Sequence, residues 1–109
     1  MNISIDTTDH STYHVSLDIG PDHVAEADIR LTNSGVELAV DVAAGHHPPE
    51  VRRRLIDAVF NINAIKAPLI LSASLPLGDV EVFDAVTARC TNIRARAAGD
   101  SCLLDGTIA

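Results

Sequence analysis

A chain of 109 residues is the size of a single domain, and its 47% apolar content includes only three aromatic residues, Tyr13, Phe60 and Phe83. The core must therefore be aliphatic, which excludes a large aromatic ligand box. Fifteen acidic against eight basic residues leave a net charge of −7, which repels phosphate backbones and excludes nucleic acid as the expected partner.

The charge is unevenly placed. Residues 1–50 hold nine acids and one base, and residues 51–109 hold six acids and seven bases. Met1 to Asp9 has neither the basic run nor the apolar stretch of an export signal, and no segment approaches the roughly 18 apolar residues of a membrane span. Two cysteines, Cys90 and Cys102, are too few for a disulfide scaffold and match no zinc spacing. The expectation is a soluble cytoplasmic protein with reduced thiols and no membrane partner.

In chain order, Ile3 to Ile5 is a candidate edge strand. Tyr13, Val15, Leu17 and Ile19 then alternate with His14, Ser16 and Asp18, the period of a strand with one buried face. After the Gly20, Pro21, Asp22 turn, Ala25, Ala27, Ile29 and Leu31 point inward, and Glu26, Asp28 and Arg30 point outward. Past Asn33, Ser34 and Gly35, the next inner edge is Val36, Leu38, Val40 and Val42, with Glu37 and Asp41 outside. Short connections make these strands an antiparallel meander.

At Pro48 the period changes. Proline in the first turn and Glu50 near the dipole's positive end start a helix, and Val51, Leu55, Ala58, Val59 and Ile62 form its apolar stripe up to about Asn63. Leu69, Leu71, Ala73 and Leu75 predict another strand. Asp79 is a good N-cap for a second helix running to Thr91 through Val82, Phe83, Val86 and Cys90. Ile93, Ala95 and Ala97 alternate with Arg94 and Arg96, and the Gly99, Asp100 turn leads into a short strand from Ser101 to Leu104.

The predicted fold class is α+β: a two-layer sandwich, β-β-β-α-β-α-β with a final extra strand, a mixed sheet and both helices on one face. Residues 1–10 are a flexible N-terminus or edge strand, and 11–109 form a single α+β domain. Ile56 to Ala67 echoes Phe83 to Ala95 faintly. Two alanine-rich copies are too few for a repeat array, and no function follows from them.

No residue cluster has the spacing of a named chemistry. The five histidines, at 10, 14, 23, 46 and 47, read as exposed polar residues near strand ends and a helix start rather than as ligands, so no metal and no cofactor are expected. Cys90 reads as a small core residue at a helix C-terminus, where the dipole raises a thiol's pKa, while Cys102 is expected near Arg94 and Arg96. Asp79 and Glu81 oppose an anion at the second helix, and Arg52, Arg53 and Arg54 point in different directions. Asp57 and Asp84 lack a catalytic partner.

What the pattern does offer is an exposed sheet face. It carries His14, Glu26, Asp28, Glu37 and Asp41 on one side and Arg94 and Arg96 on another, and these are the candidate binding residues. The expected function is a non-enzymatic interaction or regulatory domain that self-associates as a homo-oligomer or meets a protein partner. The alternative is a small-ligand or metal-binding protein, catalytic or not.

Overall fold

A computed structural model describes residues 1–45 and 47–109. In chain order it contains strands β1 (Asn2–Asp9), β2 (Thr12–Ile19), β3 (Asp22–Thr32) and β4 (Gly35–Val42), helix α1 (Pro49–Phe60), strand β5 (Ile70–Pro76), helix α2 (Val80–Thr87), and strands β6 (Cys90–Ala98) and β7 (Ser101–Ile108). All seven strands form one mixed sheet in the order β1-β2-β3-β4-β5-β7-β6. β4 and β5 are parallel, and every other neighbouring pair is antiparallel.

The helices make the second layer. α1 packs on β2 and β3, α2 on β5 and β6, and the helices touch each other. Under them the period-two pattern buries Val15, Leu17, Ala27, Ile29, Leu38, Leu71, Leu75 and Leu104 against Val51, Leu55, Ile56, Val59, Val82 and Val86. No described polar or charged residue is buried. The carboxylates of β3 and β4 therefore stay in water, as the alternation requires.

Each helix start has a local cause. Pro48 and Pro49 fix the backbone for α1, which has no side-chain cap, whereas Asp79 caps α2 by accepting a hydrogen bond from the Val82 amide at 3.1 Å. Gly35, at φ +141°, lies so close to β5 that a Cβ there would collide with the carbonyl oxygen of Ile70. This residue lets β4 and β5 meet.

Several expectations need correction. The expected N-terminal edge strand is present but longer than Ile3 to Ile5: it runs for eight residues, is paired along β2, and forms one edge of the sheet. α1 ends at Phe60 and α2 at Thr87, both short of their expected limits. Cys90 starts β6 instead, because its partner Ile108 recruits it into the ladder and the Ala109 amide donates to the Arg89 carbonyl at 2.9 Å. The last strand runs to Ile108 and inserts between β5 and β6, so β6 is displaced to the far edge. Ile19 is exposed, as are Ile93, Ala95 and Ala97, so β6 gains no buried face along its middle. The internal echo is not structural: Asn92 to Ala95 is strand, while Ala64 to Ala67 is turn.

Candidate functional site

The sheet face opposite the helices collects all seven candidate binding residues, because alternation fixes their side and the register fixes their rows. His14 stands opposite Asp28, Glu26 opposite Asp41, Glu37 opposite Arg30, Arg94 opposite Asp105, and Arg96 opposite Leu103. The structure brings His14, Glu26 and Asp28 into contact. Glu37 accepts from Arg30 Nε at 3.0 Å, whereas Arg94 and Arg96 lie on the edge strand, three strands away from β4.

On β2 and β3 the side chains form a line of alternating carboxylates and imidazoles. His14 Nδ1 donates to Asp28 at 2.6 Å and its Nε2 lies 3.7 Å from Glu26. His23 donates through Nε2 to Glu26 at 3.1 Å and through Nδ1 to Asp18 at 2.9 Å. Both His23 nitrogens donate only in the imidazolium form, so the Asp18 hydrogen bond, with Glu26 assisting against some desolvation, raises its pKa above the ordinary 6.5. Neither His23, read from sequence only as one of five exposed histidines, nor Asp18 is among the seven candidate binding residues. A register shift between Leu17 and Asp18 brings them together, and period-two reading has no signal for a bulge.

This line is extended rather than convergent. Among the described residues no group of three or more histidines, cysteines or carboxylates is placed to hold a metal ion. His46 lies outside the described residues.

Next to this line the face dips into a groove of about 570 Å³. Its floor is made of the small side chains Ala39, Ser72 and Ser74, and its rims are Asp28, Arg30 and Glu37 on one side and Arg96, Leu103 and Asp105 on the other. Sequence alternation hints at Ser72 and Ser74. It contains nothing that aligns them with Arg96, since β7 intervenes.

A second cleft opens where the parallel pair parts. β4 and β5 are paired only over Val36–Ala39 and Leu71–Ser74, and their carboxyl ends diverge into a space walled by Val42 to Gly45 and Pro76 to Glu81. The carboxyl ends of parallel strands are a common ligand position. Here several of the groups that would hold an anion are used or absent. Pro48 and Pro49 have no amide hydrogen to offer at the start of α1. Arg52 is held by Asp79 (Nε to Oδ2, 2.9 Å) and donates to the His47 carbonyl at 3.4 Å, while the other Asp79 oxygen caps α2.

The thiols are far apart. Cys90 pairs with Ile108, six residues along β7 from Cys102, roughly 20 Å of extended strand. Burial, not a helix terminus, pushes the Cys90 thiol up. Cys102 aligns with Ala97 and Leu75 on the helix side and borders a small hollow with Phe83, so it does not face Arg94 or Arg96.

No protein-family model and no curated protein matches this chain. Among solved structures it resembles one described as a "putative acetyltransferase" from Sphaerobacter thermophilus, with a TM-score of 0.57 and 13% sequence identity, covering 92% of this chain and 70% of that one. At that identity the likeness shows a shared fold.

Proposed function

We propose that this chain is a non-enzymatic interaction domain that self-associates. The observation that carries the reading is β6, whose residues from Thr91 to Ala97 are exposed on both sides of the sheet, so that α2 leaves the middle of an edge strand open. Open edges present unpaired backbone donors and acceptors to another chain.

Light scattering over a wide concentration range tests this. A mass that grows with concentration supports it, and a monomer at every concentration refutes it.

One observation favours a second reading. The parting of β4 and β5, on a sheet similar to that of the protein described as a "putative acetyltransferase", offers a place for an acyl donor. Arg52 and the two prolines speak against a phosphate-bearing donor in that cleft. Calorimetry with acetyl-coenzyme A separates the readings: no heat of binding is expected, and a saturable site would favour the acyltransferase.

A further inference from the structure

The two edges of the sheet differ in charge but match in shape. Asp6 on β1 lies in the same transverse row of the open face as Arg96 on β6, linked through His14, Ala39 and Leu103. The neighbouring row begins at Asp9 and ends at Arg94. Each row therefore starts on a carboxylate and finishes on a guanidinium. On the helix side the edges are both apolar, with Ile5 49% exposed on β1 and Ile93 38% exposed on β6, followed by Ala95 and Ala97.

Strand direction completes the match. Counting the pairings outward from the parallel β4 and β5, β1 runs against them and β6 runs with them. A second copy set alongside with its helices on the same side thus presents β1 antiparallel to β6. Building on the self-association proposed above, we infer that β6 of one copy pairs with β1 of the next, Arg96 opposite Asp6, to extend the seven-stranded sheet head to tail.

That register has further consequences. It sets Ala97 over Ile5 and covers the exposed isoleucine. The irregularity between Thr7 and Asp9 and the one between Thr91 and Arg94 fall at the same end, so the regular stretches 4–7 and 95–98 face each other.

Symmetric pairing of β6 with itself is disfavoured by the same charges. A β6 pair related by a two-fold axis at Ala95 places Arg94 against the partner's Arg96, and like charges directly opposite are destabilising. Arginine on an edge ordinarily blocks pairing; here it blocks pairing with itself and suits the acidic edge. The contact is heterologous, so it is not limited to two copies, and the natural twist of the sheet turns each copy relative to the last, giving a helix or, where the rotation closes, a ring.

A charge-swap experiment tests the pairing. Asp6→Arg reverses the charge that meets Arg96, and the double substitution Arg94→Glu with Arg96→Glu gives a protein with two acidic edges; all three positions are exposed. Circular dichroism checks that both fold, and sedimentation velocity reads mass. Wild type should assemble beyond a dimer, each variant alone should associate at least about tenfold more weakly, and an equimolar mixture should recover assembly. Small amounts of the double variant should also shorten wild-type assemblies, since its β1 still docks but its β6 terminates the chain. A mixture that stays dissociated, or a closed dimer indifferent to either change, overturns this interface while leaving self-association standing. Wild type that is monomeric throughout overturns both.

Discussion

The sheet divides at the parallel junction into an acidic half, β1 to β4 under α1, and a less acidic half, β5 to β7 under α2, whose edge strand carries Arg94 and Arg96. In the first, the charges of β2 and β3 largely meet partners: Asp18, His23, Glu26, His14 and Asp28 form a continuous line, and Arg30 meets Glu37, while Asp6 on the β1 edge has no ion-pair partner among the described residues. In the second, Arg89 reaches Asp57 at 2.6 Å and lies over the Phe60 ring at 5.3 Å, but Arg94 and Arg96 have no ion-pair partner among the described residues. Helix coverage explains part of the contrast. α1 has twelve residues and spans two strands, whereas α2 has eight and leaves the middle of β6 bare. An edge strand uncovered on both faces keeps its charges available to something outside the chain.

The strongest test of this division acts at the junction itself. Gly35→Ala should destabilise the fold by roughly 4 kcal/mol, because the added Cβ meets the Ile70 carbonyl and the backbone is already at positive φ. Urea denaturation reads the loss, and a cooperative transition there would show that the halves unfold together. Within the second half, Leu75→Ala should cost about 3 kcal/mol by leaving a cavity under α2, measured in the same way.

A smaller effect is expected where the helices meet. Asp79→Ala removes both the cap of α2 and the partner of Arg52, whose side chain is only 18% exposed, so a loss of about 1–3 kcal/mol should follow. Asp79→Asn keeps the cap's acceptor oxygen and should recover part of it.

The smallest effect belongs to the acidic half. With the folded pKa of His23 raised, its contribution to stability is fully present below the ordinary value of 6.5 and is lost as pH rises through the raised folded value. Asp18→Asn should therefore lower the His23 midpoint in an NMR titration, and an unchanged midpoint would refute the hydrogen bond. Asp18 and His23 are exposed enough that solvent screens most of the energy.

Much of the candidate face was readable before any coordinates. His14, Glu26, Asp28, Glu37, Asp41, Arg94 and Arg96 share a side because side-chain direction in a strand alternates strictly, and turns at Gly20, Gly35 and Gly99 mark where each strand ends. Periodicity is silent about register, however. The bulge that joins Asp18 to His23, the removal of Cys90 from helix to strand, and the insertion of β7 beside β5 each depend on which distant backbone supplies a hydrogen bond.

From sequence alone come the strands, the helices, their inward faces and the acidic bias of the N-terminal half, all of which follow from local period and composition. The order of the strands, the bare flanks of β6, and the alignment of Asp6 with Arg96 were decided only by tertiary structure. The physical reason is that the hydrophobic pattern states which side of each strand must leave water, whereas lateral placement is set by non-local hydrogen bonding between segments far apart in the chain.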